Sequence, residues 1–237
     1  MDGKKIYFIT GADRGLGFSL CKLLLRSGNR VYAGRYMEQW KQLEELKESF
    51  GDDLMLIPLD VSESESVKKA VKMVSCSTDY IDVLINCAGI SGQIKDIREG
   101  FDYARMQKVL NTNALGPIRV IECFLPLLQN GEKRIWNLSS EAGSIGSCWR
   151  KDEVEYCMSK AALNMGIHIL HNLLNDEGFE LRLYHPGWMN TYMTGKKETE
   201  ADLDPDTAAG LLLTCLGNRR NSDKIVLESY DGKKWEW

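Results

Sequence analysis

Ile6-Tyr7-Phe8-Ile9 runs directly into Thr10-Gly11-Ala12-Asp13-Arg14-Gly15-Leu16-Gly17, and the organisation of the chain is read outward from that junction. The first four residues are an apolar run short enough for a buried strand, and Leu16, Leu20, Leu23 and Leu24 then recur at helical spacing. A strand that passes through a glycine-rich turn into a helix is where parallel α/β sheets hold the pyrophosphate of a dinucleotide. Glycines permit the tight turn and close backbone approach, while the free N–H groups and positive dipole end of the helix stabilise phosphate charge. The spacing GxxxGxG differs from the GxGxxG fingerprint, so the placement between strand and helix carries more weight than the pattern itself.

Further apolar runs at 31–33, 54–59, 81–85, 134–138, 181–184 and 224–227 bring the expected strand number to seven. Amphipathic segments lie between them, such as Val67, Val71 and Val74, whose start carries a capping-box pattern from Ser62 to Glu65. Strands that alternate with helices in this way predict a doubly wound (Rossmann) α/β fold: a mostly parallel seven-stranded sheet with helices on both faces. A chain of 237 residues without an internal repeat, low-complexity tract or Pro/Gly-rich linker is read as a single domain, 1–237. The least regular stretches, 144–154 and 188–205, are the expected substrate loops.

Charge and cysteine usage narrow the function classes. The 30 Lys and Arg against 34 Asp and Glu form no long basic block, which argues against nucleic acid and for a small-molecule partner. The 7 cysteines make no CxxC pair and no Cys/His cluster, so neither a disulfide framework nor a metal site is implied and a reducing cytoplasm is the expected location. The apolar run 6–9 is too short for the core of a secretory signal or a membrane span.

Two features specify chemistry. An acidic residue usually ends the second strand when NAD is bound, to hold the ribose 2′-hydroxyl, whereas here that strand ends Ala33-Gly34-Arg35. A guanidinium at Arg35, helped by Arg14 in the glycine loop, suits a 2′-phosphate and so favours NADPH over NADH. The alternative is that Arg35 is a solvated loop residue and Glu38 serves the ribose. Tyr156 and Lys160 are four apart on a helix predicted over Val154–Leu174, hence on one face. A Tyr–Lys⁺ attraction of roughly 4 kcal/mol, for charges about 4 Å apart at an effective dielectric of about 20, would lower the phenol pKa by up to about three units. That reading expects a proton donor poised near neutral pH, with the Ser140 hydroxyl as a second donor to a substrate oxygen.

Taken together these motifs resemble the short-chain dehydrogenase/reductase family from Lys4 nearly to the C-terminus. Thr10, Gly11, Asp13, Arg14, Gly15, Leu16 and Gly17 are similar to its TGxxxGxG cofactor loop, and Asp60, with Val61 beside it, to its adenine-contacting Asp. Asn86-Cys87-Ala88-Gly89 resembles its NNAG segment, with Cys87 in place of the second Asn, and Pro186, Gly187 and Thr191 its PGxxxT segment beside the nicotinamide amide. Asn113, Ser140, Tyr156 and Lys160 fall on the catalytic tetrad. The resemblance implies that Tyr156 transfers the proton, Ser140 stabilises the substrate oxygen, Lys160 binds the nicotinamide ribose and lowers the Tyr pKa, and Asn113 holds a relay water. Ser140, rather than Ser139, matches the serine that directly precedes the family's xxG stretch, here Glu141-Ala142-Gly143.

The short length, the Ser159-Lys160-Ala161-Ala162-Leu163-Asn164 run and the ending Tyr230-Asp231-Gly232-Lys233-Lys234-Trp235 are similar to the C-factor and sniffer-type carbonyl reductase branch. The implied activity is hydride transfer between NADPH and a small carbonyl or alcohol. A cofactor-binding regulator on the same fold is the alternative. Helices over 106–128 and Val154–Leu174 resemble those that pair in family dimers and tetramers. Trp149, Arg150, Trp188 and Met193 are pocket candidates by position; His168 and His171 are read as packing or surface residues, and His185 lies nearer the expected site, where Tyr156 already supplies the proton donor.

Overall fold

The computed structural model describes residues 3–193, 198–217 and 224–237. In chain order the elements are β1 (Ile6–Ile9), α1 (Gly15–Arg26), β2 (Arg30–Arg35), α2 (Gln42–Phe50), β3 (Leu54–Pro58), α3 (Ser64–Ser75), β4 (Val83–Asn86), α4 (Tyr103–Leu110) and α5 (Gly116–Gln129). They are followed by β5 (Arg134–Leu138), α6 (Val154–Leu174), β6 (Glu180–His185), α7 (Pro205–Gly217), β7 (Leu227–Ser229) and β8 (Lys234–Trp235). The strands form one sheet in the order β3-β2-β1-β4-β5-β6-β7-β8, parallel throughout except for the final antiparallel pair. Reversal of the winding direction between β1 and β4 opens the crevice at which such sheets bind ligands.

Alternation within β1 separates the two cores. Ile6 and Phe8 face a layer built by α3, α5 and α6, with Phe124, Leu128, Leu163 and Ile167. Tyr7 and Ile9 face the opposite layer, where Leu20 and Leu24 of α1 and Leu212 and Leu216 of α7 pack. Strands covered on both faces must be apolar at every position, which is why they appear as unbroken runs in the sequence.

Three sequence expectations need correction. Among the described residues the sheet has eight strands rather than seven, and β7 covers Leu227–Ser229 rather than 224–227. The extra strand, Lys234–Trp235, is two residues long and half charged, so no apolar run marks it. Ser62 does not cap α3: its N–H and hydroxyl both bond to Asp60 Oδ1, at 2.8 and 2.6 Å, in a local turn that competes with capping. Finally, the expected helix over 106–128 is divided by a π-turn at Asn111–Leu115, a distortion that recurs at functional sites.

A buried ion-pair ladder crosses the sheet below the site. Arg134 Nε bonds Glu180 Oε2 at 2.6 Å, and its other nitrogens close the last carbonyls of α7, Leu216 and Gly217. Arg182 joins Glu180 to Glu228. Removing one partner of such a pair strands a buried charge, so Arg134→Met is expected to cost about 3 kcal/mol. A fall in the urea midpoint at unchanged slope checks this.

Candidate active site

The glycine loop leaves β1 at the switch point. Gly11 has φ of 65°, and a Cβ there would lie 2.7 Å from Ala88 Cα, so no other residue fits without displacing the chain after β4. A Cβ on Gly17 would meet Gly11 O at 2.2 Å. The first turn of α1 has no side-chain cap and no acidic residue, which leaves its N–H groups free to meet an anion. This shallow, uncapped cradle fits a pyrophosphate.

Neighbouring side chains brace the cradle. Thr10 Oγ1 accepts from the N–H groups of Cys87 and Ala88, and Asp13 Oδ1 from those of Tyr36 and Met37 at 2.9 and 2.8 Å. Leu16 is buried in the core beneath α1, so only its backbone faces the loop. Gly15 lies against Thr191, which brings the segment after Pro186-Gly187 over the glycine loop. Asn86 Nδ2 donates to Asn137 Oδ1 at 2.9 Å across β4 and β5, and Asp60 organises the turn before α3, where Val61 is buried.

At the end of β2, Arg35 projects beside the loop and is paired with Glu44 Oε1 of α2 at 2.5 Å. Arg14 lies over the ring of Trp40, 5.1 Å from its centroid, and 6.0 Å from that of Tyr192. The two rings also meet each other at 5.0 Å, and a cleft of about 290 Å³ extends from this cluster along α1 toward Asp206. Sequence reasoning did not join Trp40 to Tyr192, because they lie on loops that only the tertiary fold brings together.

Asn113, Ser140, Tyr156 and Lys160 converge on the other side of the crevice. Asn113 sits on the π-turn, where its Nδ2 donates to Ile90 O and Ser159 Oγ, and its Oδ1 accepts from Ile90 N. Ser140 ends the extended chain after β5 and stands beside the Tyr156 phenol. By contrast, Ser139 donates to Asn164 at 2.6 Å and is buried away from that phenol. Gly89 is a shared neighbour: a Cβ there would be 3.4 Å from Asn113 Oδ1, 3.8 Å from Met193 Cε and 3.9 Å from Lys160 Nζ. Trp149 and Trp188 are exposed, and His171 is buried on α6.

The electrostatics overturn one expectation. Lys160 Nζ donates to Leu138 O at 2.8 Å and stands 5.8 Å from the Tyr156 ring centroid. Burial pushes the Tyr156 pKa up rather than down; Ser140 opposes that rise, Glu141 and Glu153 add to it, and Arg150 opposes it. Burial likewise pushes Lys160 down to about 8, with Cys87 opposing. The i, i+4 arithmetic assumed a short Tyr–Lys separation in a polar medium, whereas desolvation dominates where both groups are enclosed.

Sequence reasoning also missed Glu141. Its Oε2 accepts from Ser140 Oγ at 2.5 Å and lies 3.5 Å from His185 Nδ1, and its Oε1 accepts from Arg150. Burial pushes the Glu141 pKa up, but the bonds from Arg150 and Ser140 outweigh it and hold the carboxyl below its ordinary value.

Comparison with known proteins accords with this geometry. Residues 5–202 match the short chain dehydrogenase family, and the chain therefore belongs to the short-chain dehydrogenases/reductases. An uncharacterized oxidoreductase of Schizosaccharomyces pombe is 33% identical over 96% of each chain. The C-signal protein of Myxococcus xanthus is 38% identical over 68% of this chain and 95% of its own. Among solved structures, the carbonyl reductase Sniffer of Drosophila melanogaster superposes with a TM-score of 0.91 at 27% identity, covering 99% of this chain and 100% of that one. An NADPH-bound carbonyl reductase from chicken fatty liver gives 0.90 at 28%, covering 99% and 94%. Among the described residues no helix is long and apolar enough to cross a membrane.

The depressed Lys160 pKa has a thermodynamic signature. Between about 8 and the ordinary lysine value near 10.5, the unfolded chain holds a proton that the native state has released, so the Lys160 contribution to stability rises with pH across that window. Lys160→Met should remove this slope, making the variant gain relative to wild type as pH falls from about 10.5 to 8. Unfolding measured in cofactor-free protein across that range checks it.

Proposed function

We propose that the protein is an NADPH-dependent carbonyl reductase in which Tyr156 is the general acid. The observation that carries this reading is the convergence of Tyr156, Ser140, Lys160 and Asn113 at the mouth of the β1/β4 crevice, opposite the glycine loop. Glycine-loop N–H groups would hold the pyrophosphate, Asp60 and Val61 the adenine, and Thr191 with Pro186-Gly187 the nicotinamide end. Asn86, Ala88 and Gly89 would line the same crevice.

NADPH, when bound, supplies the hydride. Tyr156 gives its phenol proton to the substrate oxygen as negative charge builds there, and the Ser140 hydroxyl, turned from Glu141, stabilises the same oxygen. A phenol held protonated by burial suits the reducing direction. Lys160, on leaving Leu138 O, would hold the ribose and restore a positive charge beside Tyr156, and Asn113 orients the water that resupplies the proton.

Preference for the phosphorylated cofactor rests on Arg35 and Arg14, with Glu44 as the carboxylate that a 2′-phosphate displaces. Met193, which reaches Gly89 beside Lys160, and Trp188, which follows Pro186-Gly187, would border the substrate, which suits an apolar carbonyl compound. All seven cysteines are free thiols, which supports a cytoplasmic protein. The exposed Met158, Met165, Ile169 and Leu173 on α6 support self-association through that helix.

Tyr156→Phe should reduce NADPH-dependent turnover of aldehydes, ketones or quinones by at least about 100-fold while leaving NADPH binding within a few-fold. Loss of NADPH absorbance with a carbonyl panel measures this; tight binding with no turnover by the wild type would favour the regulatory alternative. Arg35→Asp should weaken NADPH by roughly 10- to 100-fold, as expected for one charge-assisted contact, and NADH by far less. Equal losses for the two cofactors in KM would sink the NADPH assignment.

A further inference from the structure

We infer that Arg150 is a positioning residue that locks Ser140 and Tyr156 into one unit by holding Glu141 with one arm of its guanidinium and Glu153 with the other. The inference rests on the reductase reading of this site and assigns its alignment to residues outside the tetrad.

The geometry is specific. Nη2 of Arg150 bonds Glu141 Oε1, and Glu141 Oε2 in turn accepts from Ser140 Oγ at 2.5 Å. Nη1 bonds Glu153 Oε2. Glu153 occupies the position before the first turn of α6, three residues before Tyr156, makes no side-chain cap bond and has φ of 52°, a left-handed conformation that non-glycine residues seldom occupy. A fork reaching both carboxylates holds that conformation and carries the restraint to both catalytic side chains. Lysine, a single point charge, cannot bridge them in the same way.

Around the phenol stand Glu141 and Ser140 from the turn after β5, and Arg150 and Glu153 from the segment before α6. Lys160 lies below on the same helix, with Cys87 near its ammonium, while His185 at the end of β6 faces Glu141 and Cys157 faces Arg150. The guanidinium is the positive charge set between two carboxylates beside the phenol. Its removal takes the cation from both, leaving Glu141 with Ser140 and His185, and disfavours the phenolate that alcohol oxidation requires.

Arg150→Met, Arg150→Lys and the double variant Arg150→Met/Glu141→Gln test this in the full chain, after thermal unfolding shows that each is folded. For Arg150→Met, kcat should fall at least about tenfold with KM within about threefold, the pattern of lost alignment. The acidic limb of the pH profile for alcohol oxidation, below which the phenolate is lost, should move up by roughly one unit, and Glu141→Gln in the same chain should move it back. Arg150→Lys should keep the limb in place and recover only part of kcat. A kcat loss with an unmoved limb would mean a purely structural role and overturn the inference, as would wild-type values throughout. If the wild type reduces no carbonyl, the reductase reading itself fails. Amide exchange over 144–158, which needs no turnover, then decides: roughly tenfold faster exchange in Arg150→Met supports the clamp, and unchanged exchange overturns it.

Discussion

Thr10 Oγ1 accepts hydrogen bonds from the backbone N–H groups of Cys87 and Ala88, both at 3.0 Å, and so fastens the end of β1 to the chain leaving β4. These are the strands between which the winding direction reverses, so no crossover covers the gap between their ends. The hydroxyl supplies the link that a crossover would otherwise provide. With it in place the glycine loop rests on Ala88, and the next residue, Gly89, is carried to Asn113 and Lys160. The glycine loop and the Asn113 and Lys160 side chains are thereby held on opposite walls of one crevice.

Within that crevice the energetics are set by desolvation. Tyr156, Lys160 and His185 are all shifted toward their neutral forms, and in each the largest cause is burial. Glu141 resists because Arg150 and Ser140 hydrogen-bond to it. A resting site of neutral phenol and weakly basic lysine differs from the pre-charged pair that spacing alone suggested. It favours a site whose groups change state when ligands alter the surrounding charge.

How much was legible depended on the range of the interaction. Strand runs in β1 to β6 could be read because burial on both faces demands apolar residues throughout. The helix Val154–Leu174 was legible to the residue, and with it the shared face of Tyr156 and Lys160. β8 was not, since two residues carry no period, and the π-turn was not, since its extra residue per turn is settled by packing around Asn113. Ser62 was misread because its motif suits both a helix cap and an Asp60 turn, and local competition decided for the turn.

The amino-acid sequence by itself determined the strand–loop–helix junction, the layering of the sheet and the positions at which Tyr156, Lys160, Ser140 and Asn113 stand along the chain. Those properties follow from periodicity, glycine conformational freedom and local spacing, all of which operate over a few residues. Tertiary structure alone decided that Lys160 turns to Leu138 O, that Arg35 meets Glu44, and that Arg150 spans Glu141 and Glu153. Long charged side chains choose partners by what the fold brings within reach and by how far it strips water from them, and neither is written in the order of residues.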